Sequence, residues 1–366
     1  METFIPDYVN ALCDEIRRAG MIVKKDEFIH TIYFGGGTPS VLSGKDYVRI
    51  IAASRKYFQL TLEPEISMEV NPGTATPEFL KEIFKLGVNR LSIGMQSSKP
   101  EELRILGRIH GPVDVINTVK WARQAGFSNI SLDLMFGLPG QTIKSWQNSI
   151  EFALQLKPTH LSLYSLTIEE KTLFAKWRSK GLLSEMDEDF PADLYEIAMA
   201  SLGKSGFIHY EISNWVKKSN EETSNICRHN MQYWLDQPYL GIGAGAHSYY
   251  NHQRWENIGT IDGYIQAKER KDYRKVLFAQ INLQELDKKT EMQETMFMGL
   301  RLVQQGVSNS EFQTRFGKLI LDVFSKEVNE LIKIGLVEWV NGDNGFLRLT
   351  QRGILVGNQV FMRFVD

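Results

Sequence analysis

Residues 32–42 read IYFGGGTPSVL, which is a short strand-like run followed at once by three glycines. Glycine has no side chain, so a run of three favours neither helix nor strand, and it lets a ligand approach the backbone closely. Backbone amides in such a turn can bind an anion such as a carboxylate. The stretch therefore predicts a strand whose end delivers bare backbone to a binding site.

Neither glycine cluster of the chain fits a familiar nucleotide motif. A P-loop requires G-x-x-x-x-G-K-[ST], and no lysine follows the glycines at 35–37. A second cluster at residues 241–246, GIGAGA, formally matches the dinucleotide fingerprint. The residues after it, HSYYNH, do not read as the amphipathic helix that this fingerprint needs, which argues against a nicotinamide cofactor.

Short β-rich runs alternate with amphipathic helical stretches over most of the chain. This alternation predicts parallel strands with helices outside them, either in an α/β barrel or in an open doubly wound sheet. Gly87, Gly126 and Gly206 stand where helix-ending glycines belong. The predicted strands are 31–34, 66–70, 90–95, 130–136, 160–166 and 207–212, and the predicted helices are 4–18, 77–86, 113–125 and 143–156.

The pattern changes from about Leu286 onward. Helical stretches at 290–302, 308–316 and 321–334 precede strand-like runs at 337–340 and 346–349, and Asn341-Gly342 begins the turn between these runs. Three helices and a hairpin describe a winged-helix-like domain. We therefore divide the chain into a barrel with its β extension, 1–285, and a C-terminal domain, 286–366.

Composition limits the functional class. The 366 residues carry a formal charge of −2, and the C-terminal segment is not strongly basic, which argues against nucleic-acid binding. The N-terminus has no signal-peptide core and no apolar run is long enough to span a bilayer. Cys13 and Cys227 are the only cysteines, so there is no disulfide framework, and we expect a cytoplasmic protein.

Polar groups stand at the ends of the predicted strands, where ligands of parallel α/β domains bind. Any one of them can be a cap or a turn residue. Glu69 and Asp133, however, lie within apolar strands, and a buried carboxylate is costly without a partner. Arg108 can be that partner, or both carboxylates can hold ligand donors such as an ammonium, a ribose diol or an adenine amine. The strand-end groups are Gly36, Gly37, Thr38, Glu69, Gln96, Arg108, Asp133, Tyr164 and Thr167.

A histidine surrounded by aromatic residues stands at 227–234, which read CRHNMQYW. Tyr233 and Trp234 can be packing residues, and His229 can be an ordinary satisfied histidine. Together with Cys227, they also suit a flat apolar cofactor with an axially coordinated iron. The chain has no C-x-x-C-H, H-E-x-x-H, paired C-x-x-C or G-x-S-x-G, which argues against c-type haem attachment, zinc and hydrolysis.

Eight motifs in this order resemble the radical-SAM family related to oxygen-independent coproporphyrinogen dehydrogenase, over essentially the whole chain. The motifs are YFGGGTPS, SMEVNPGT, RLSIGMQS, LGRIH, SLDLMFGLPGQT, YEISNW, CRHNMQYW and GIGAGAHSY. The resemblance implies a (β/α)6-type partial TIM barrel that binds S-adenosylmethionine (SAM). It assigns the methionyl moiety to Gly36, Gly37 and Thr38, and further SAM contacts to Glu69, Gln96, Arg108, Asp133 and Thr167, with Asp133 placed for the ribose.

Within this family, His229-Asn230-Tyr233 and the GAGAHS run resemble the haem chaperone branch. That branch is thought to bind haem and to hand it to acceptor proteins, which we expect to include respiratory-chain proteins. The resemblance thus implies haem contacts at His229, Asn230 and Tyr233. The alternative is oxidative decarboxylation of coproporphyrinogen III by the dehydrogenase that gives the family its name.

One family feature is missing from this sequence. Family members bind a 4Fe–4S cluster through C-x-x-x-C-x-x-C after the first barrel strand, whereas Cys13 and Cys227 stand far apart here. No strand precedes the helix predicted at 4–18 either. We expect that both absences have one cause, a chain that begins late, with the cluster cysteines upstream of Met1. The alternative is a cluster-free paralogue that keeps a SAM pocket.

Overall fold

The computed structural model describes residues 4–170, 172–180, 189–219, 225–269, 276–342 and 345–365. The strands lie close to the predicted positions, and Asp343 and Asn344 of the predicted turn lie outside the described residues. The strands are β1 Ile29–Phe34, β2 Leu60–Val70, β3 Arg90–Gln96, β4 Asn129–Phe136, β5 His160–Ser165, β6 Phe207–Glu211, β7 Asn214–Lys217, β8 His247–Tyr250, β9 Gln253–Asn257, β10 Gln280–Glu285, β11 Val307–Ser308, β12 Val337–Val340 and β13 Phe346–Leu349.

The described helices also confirm the predicted ones, with ends shifted by up to four residues. None of them is both long and apolar enough to cross a membrane. The helices are α1 Ile5–Ile22, α2 Gly44–Tyr57, α3 Pro77–Lys85, α4 Pro100–Ile105, α5 Pro112–Ala125, α6 Ile143–Gln155, α7 Leu173–Ser179, α8 Phe190–Lys204, α9 Arg228–Trp234, α10 Ile261–Glu269, α11 Lys288–Gly299, α12 Asn309–Phe316, α13 Ile320–Lys333, α14 Gln351–Leu355 and α15 Gly357–Phe361.

The main sheet has seven strands in the order β1-β2-β3-β4-β5-β7-β6, and β2, β3, β4 and β5 pair in parallel. This confirms an α/β fold of the partial-barrel type. The prediction of parallel strands alone is wrong at one end, because β7 lies antiparallel between β5 and β6. A tight return after β6 produces this hairpin, and the Glu211 carboxylate accepts the Ser213 N–H at 2.9 Å within it.

The two faces of this sheet differ in chemistry. Leu91, Ile93, Leu132 and Leu134 are fully buried on one face. On that same face the Phe136 ring packs against the rings of Trp146 in α6 and Tyr195 in α8. The alternate positions, which share the other face, are polar although many are buried: Ser67, Glu69, Arg90, Ser92, Ser131, Asp133, His160 and Ser162. The helices thus cover an apolar face and leave a polar face opposite.

The predicted helix-ending glycines adopt the left-handed backbone that this role needs. Gly87, Gly126 and Gly206 have φ values of 99°, 114° and 74°. At Gly126 an added Cβ would also lie 2.6 Å from atoms of the Phe84 ring, which would have to move. These positions confirm where three of the predicted helices end.

The chain forms two compact units. One contains residues 1–33, 42–66 and 227–366, and the other contains 34–41 and 67–226. In the first unit, β8, β9 and β10 form an antiparallel sheet, and β12 and β13 form the predicted hairpin beside the short β11. The Arg254 guanidinium binds both carboxylate oxygens of Glu294 in α11, at 2.7 and 2.8 Å. The domain boundary at residue 286 stays a prediction.

Candidate functional site

The glycine loop after β1 borders open space. Gly36 and Gly37 have φ values of 78° and 60°, and a Cβ added to either would meet no atom within 4 Å. The Gly36 N–H points at the Glu69 side chain and donates to Oε2 at 3.3 Å. Thr38 is exposed in the same loop, and its carbonyl accepts the Val41 N–H at 3.0 Å. The loop thus presents bare backbone beside a carboxylate of the next strand.

A pair of hydroxyl groups joins this loop to the loop after β2. Ser40 Oγ and Thr74 Oγ1 lie 2.8 Å apart, and Thr74 Oγ1 also donates to the Asn71 carbonyl at 2.8 Å. The sequence analysis did not single out this contact. Ser40 belongs to the motif GGGTPS and Thr74 to NPGT. The two motifs follow adjacent strands, and that pattern could have predicted the contact.

The end of β3 is conformationally unusual. Gln96 is buried and has φ of 62°, a left-handed value that is rare for a residue with a side chain and that concentrates at functional sites. A Cβ at Gly94 would lie 2.9 Å from Gln96 Nε2, so the backbone passes close under that amide. Arg108 donates to Asn71 Oδ1 at 3.0 Å, which makes Asn71 a further residue of this rim that the sequence analysis did not assign.

The Asp133 carboxylate is held by hydroxyl groups. Ser92 Oγ lies 2.9 Å from both carboxylate oxygens, and Ser131 Oγ lies 3.3 Å from Oδ1. Burial raises the pKa of Asp133 to about 6; hydrogen bonds from Ser92 and Ser162 lower it, and the nearby Glu69 charge raises it. The arginine whose charge acts on Asp133 is Arg90 rather than Arg108. Serine hydroxyls and the Arg90 charge therefore act on this carboxylate, while Arg108, one of the two alternatives considered from the sequence, donates to Asn71.

Thr167 lies in the exposed segment that follows β5. Just before it, the Leu166 N–H donates to the Phe136 carbonyl at the end of β4, at 2.9 Å. Tyr164 is 42% exposed at the end of β5. The structure therefore places both residues at the carboxyl end of the sheet, and a ligand contact of Thr167 stays a prediction.

His229 lies in α9 with both ring nitrogens engaged. Nδ1 is 2.9 Å from Thr31 Oγ1, and Nε2 is 3.1 Å from the Tyr233 hydroxyl. The Tyr33 ring stacks on the imidazole, with centroids 4.8 Å apart and planes 12° apart. Asn230 follows in the same helix and is partly buried. The structure thus brings His229 and Tyr233 together and adds Thr31 and Tyr33, which the sequence analysis did not assign.

A buried carboxylate from β2 fixes the start of α9. Glu65 accepts the backbone N–H groups of Arg228 and His229, at 3.0 and 3.1 Å, and the Cys227 thiol lies 3.8 Å from it. Negative charge at a helix N-terminus is stabilising. Sequence reasoning missed Glu65, although it stands out as a charged residue just before the apolar part of β2.

The protonation state of His229 suits metal ligation. Burial lowers its pKa to about 4, the Glu65 charge opposes this shift, and the His30 charge adds to it. The imidazole is therefore neutral across the physiological pH range, and neutral imidazole is the form that binds metals. The tautomer with its proton on Nδ1 makes both hydrogen bonds, because Nδ1–H donates to Thr31 Oγ1 and Nε2 accepts from the Tyr233 hydroxyl.

The second glycine cluster is held by another buried carboxylate. Glu15 in α1 accepts the Gly243 N–H at 2.8 Å and an N–H of Asn257 at 2.7 Å, and it also accepts the Tyr264 hydroxyl. Burial raises the pKa of Glu15 to about 7, while these three donors lower it. The cluster leads into strand β8 and not into a helix, so the context of a dinucleotide fingerprint is absent, as the sequence predicts.

The residues of this chain do not fit a 4Fe–4S cluster. Such a site uses three or four thiolates, and the chain has two cysteines, Cys13 on α1 and the buried Cys227. Across the part of the chain that the structure describes, no group of three metal-binding side chains occurs. The open glycine loop, the strained Gln96 and the ionisable Asp133 do fit a ligand with a carboxylate, an ammonium and a ribose, as SAM has.

Comparisons with known proteins agree with this architecture. Residues 3–153 match the Radical SAM superfamily, and residues 286–356 match the HemN C-terminal domain. The chain is similar, with 22% identity and a TM-score of 0.80, to the solved structure of coproporphyrinogen III oxidase (HemN) from Escherichia coli, over 98% of this chain and 82% of that one. That likeness shows the fold.

Two curated relatives are similar over nearly their whole length. The heme chaperone HemW of Lactococcus lactis subsp. lactis is 35% identical over 99% of this chain and 90% of its own length. The heme chaperone HemW of Bacillus subtilis is 36% identical over 99% of this chain and 92% of its own length. At this identity and coverage, the chain belongs to the heme chaperone HemW family of the radical SAM superfamily.

Proposed function

We propose that this protein is a cytoplasmic haem chaperone that binds haem and SAM and delivers haem to acceptor proteins. The observation that carries the haem assignment is the state of His229, a neutral imidazole stacked on Tyr33 and hydrogen-bonded at both nitrogens. The names of the similar proteins, heme chaperone HemW, support the same assignment. We assign the haem contacts to His229, Asn230 and Tyr233.

In this proposal His229 binds the haem iron through Nε2. Tyr233 must release Nε2 for that bond to form, whereas the Nδ1–H···Oγ1 bond to Thr31 can stay in place. A hydrogen bond at the second nitrogen fixes the tautomer and the ring orientation of a metal-binding histidine. No proton has to leave the imidazole at neutral pH, because its pKa is already lowered to about 4 by burial.

We also propose that the strand-end rim binds SAM. Gly36, Gly37 and Thr38 bind the methionyl part through backbone groups. The ammonium binds Glu69, the ribose hydroxyls donate to Asp133, and Gln96, Arg108 and Thr167 complete the contacts. SAM supplies a sulfonium group whose reductive cleavage is the chemistry of the superfamily. This chain does not provide the thiolates of a cluster, so its own residues do not supply the electron for that cleavage.

Two finer parts of the proposal concern the haem acceptors and the domain boundary. We propose that the acceptors include haem proteins of the respiratory chain. We also propose that the boundary at residue 286 separates a barrel with its β extension from a C-terminal winged-helix-like domain. The match of residues 286–356 to the HemN C-terminal domain supports this boundary.

A haem titration tests the proposed function. We expect wild type to produce a shifted Soret band with a saturable, stoichiometric end point, and His229→Ala to lose it. His252→Ala is the matched control, because His252 is an exposed histidine of the same unit, with its Nδ1 2.7 Å from Glu291. Unchanged haem binding by His229→Ala, together with turnover of coproporphyrinogen III, would instead support the dehydrogenase.

A further inference from the structure

The motif YEISNW has no role in the sites described so far, yet its tyrosine reaches a buried histidine. Tyr210 in β6 is 5% exposed, and its hydroxyl lies 2.8 Å from Nε2 of His160. His160 in β5 is fully buried. A buried tyrosine hydroxyl and a buried imidazole each need a hydrogen-bond partner, and here they provide it for each other.

The contact continues across the polar face of the sheet to Asp133. His160 Nδ1 lies 2.8 Å from Ser131 Oγ, and Ser131 Oγ lies 3.3 Å from Asp133 Oδ1. The parallel register pairs Ser131 with His160 and Asp133 with Ser162. The hydrogen bonds therefore form one chain, Tyr210–His160–Ser131–Asp133, that runs through three strands and ends at the carboxylate.

An ionised carboxylate fixes the direction of every hydrogen bond in this chain. A carboxylate only accepts, so a Ser131 hydroxyl that donates to Asp133 accepts from His160 Nδ1–H. Ser131 Oγ also lies 3.2 Å from Ser162 Oγ, and that hydroxyl can donate to Ser131 without changing this order. Nε2 then has a lone pair and accepts the Tyr210 O–H. This order needs a neutral imidazole. Burial and the nearby Arg90 charge hold the pKa of His160 well below its usual range, so the imidazole meets that need.

We propose that Tyr210, His160 and Ser131 are positioning residues of the SAM site, which hold Asp133 ionised and oriented toward the ribose hydroxyls of SAM. The inference rests on the proposed role of Asp133 in SAM binding. The burial of Asp133 and the Glu69 charge favour its protonation, and the hydrogen bonds from Ser92 and Ser162 and the Arg90 charge oppose it. The Ser131 hydroxyl, 3.3 Å from Oδ1, is a further donor to the ionised form. Among the residues that the structure describes, Glu69, Arg90, His160 and Tyr210 bring titratable or charged groups to this carboxylate and its hydrogen-bond chain.

The first test is the pH dependence of SAM binding. Affinity falls when Asp133 becomes protonated, so in wild type it falls as the pH drops through about 6. Removal of the Ser131 hydroxyl takes a donor from the ionised carboxylate, which favours the protonated form. We therefore expect Ser131→Ala to weaken SAM binding at pH 7 by about fivefold and to move the fall to higher pH. Ser149→Ala is the control, because Ser149 is an equally buried serine that bonds to the Ser98 N–H instead.

Two further variants separate positioning from simple packing. His160→Asn keeps an N–H donor near the place of Nδ1, so it should bind SAM better than His160→Leu, which has no donor. Tyr210→Phe removes only the last hydroxyl, and we expect the smallest shift of the pH midpoint from it. An unchanged midpoint in Ser131→Ala, or equal SAM binding by the two His160 variants, would overturn the proposal.

A second test does not depend on SAM. In [¹⁵N]histidine spectra of the free protein, His160 should be neutral with its proton on Nδ1, and a proton on Nε2 would overturn the direction of the chain. In [¹³C]aspartate spectra, the Asp133 midpoint should rise in Ser131→Ala and stay in Ser149→Ala. If wild type failed to bind SAM while these spectra agreed with expectation, the SAM assignment would fail and the hydrogen-bond chain would stand.

Discussion

At the glycine loop after β1, the backbone of Gly36 and Gly37 borders open space, whereas at the start of α9 both ring nitrogens of His229 already have partners. The loop has left-handed backbone and a carboxylate pointed at it. The His229 imidazole is stacked on the Tyr33 ring, and Glu65 accepts the His229 backbone N–H. One candidate site is open before a ligand arrives, and the other is closed on itself.

This difference teaches how the two ligands would be held. A ligand at the glycine loop meets preformed amides and pays little to reorganise them. Iron at His229 must first displace the Tyr233 hydroxyl, so part of the bond energy replaces a hydrogen bond that was already made. A histidine whose nitrogens already have hydrogen-bond partners would bind haem less tightly than a free one. Its hydrogen bond with the Tyr233 hydroxyl would form again when the haem leaves. Those are useful properties in a protein that has to pass haem on.

The largest expected effect concerns a 4Fe–4S cluster beside the glycine loop. We expect the 366-residue chain to show no stoichiometric 4Fe–4S absorbance after anaerobic reconstitution, because two cysteines cannot supply three thiolates. Iron and sulfide analysis, together with the absorbance spectrum, measures the cluster content per chain. Stoichiometric incorporation by this chain would mean that other side chains ligate the iron.

The buried Glu15 gives the next largest effect, on stability in the unit that contains His229. Its folded pKa of about 7 lies above the ordinary value of 4.5, so it stabilises the fold at low pH and that stabilisation is lost as the pH rises through 7. Between pH 5 and pH 8, the unfolding free energy of wild type should fall on the order of 2 kcal/mol relative to Glu15→Gln. Urea unfolding at each pH measures it.

The exposed Glu78→Gln is the control for that measurement, and its pH profile should follow wild type. If the unfolding free energies of wild type and Glu15→Gln changed equally with pH, burial would not raise the pKa of Glu15. The donors from Gly243, Asn257 and Tyr264 would then offset the burial of this carboxylate fully.

At the open site, Asp133→Asn should weaken SAM binding by at least about tenfold, because a hydrogen bond to a charged group contributes more than one between neutral groups. Calorimetric titration at pH 7.5 measures the affinity. The loss should shrink below pH 6, where wild-type Asp133 is itself protonated. A loss that is the same at pH 5.5 and pH 7.5 would argue against an ionised Asp133 as the ribose acceptor.

The smallest effect has the opposite sign and tests the closed site. Tyr233→Phe removes the hydroxyl that occupies His229 Nε2, so haem should bind about threefold to tenfold more tightly. Haem release to apomyoglobin, followed by absorbance, should be slower by a similar factor. Because the proposed haem contact of Tyr233 then has to be made by its ring, weaker haem binding would show that the hydroxyl itself holds the haem and does not compete with it for His229 Nε2.

Local patterns predicted most of the elements in this structure, because helix periodicity, strand composition and glycine positions act over a few residues. Val337–Val340 and Phe346–Leu349 have the predicted bounds. β7 was missed because it is four residues long and follows a tight return inside a motif that reads as one strand. Its place between β5 and β6 depends on tertiary pairing that no local pattern contains.

The residues of the candidate sites that stand at strand ends were predictable from the sequence. Their hydrogen-bond partners from distant segments were not. Glu65 binds the backbone of His229 across 164 positions of sequence, and Glu15 binds Gly243 across 228. Similarly, Asp133 was expected to need an arginine or a ligand, but three serines from three adjacent strands surround it. Strand register brings them together, and the sequence alone does not reveal that register.

Chemical rescue of His229→Gly tests the haem assignment most directly. We expect that this variant loses haem binding and that added imidazole restores a low-spin haem spectrum, because imidazole can enter the space between Thr31, Tyr33 and Tyr233. Added imidazole should not restore binding to a variant that has lost it by misfolding, which circular dichroism identifies. Wild-type haem affinity in His229→Gly without imidazole would contradict the account and place the iron ligand elsewhere in the chain.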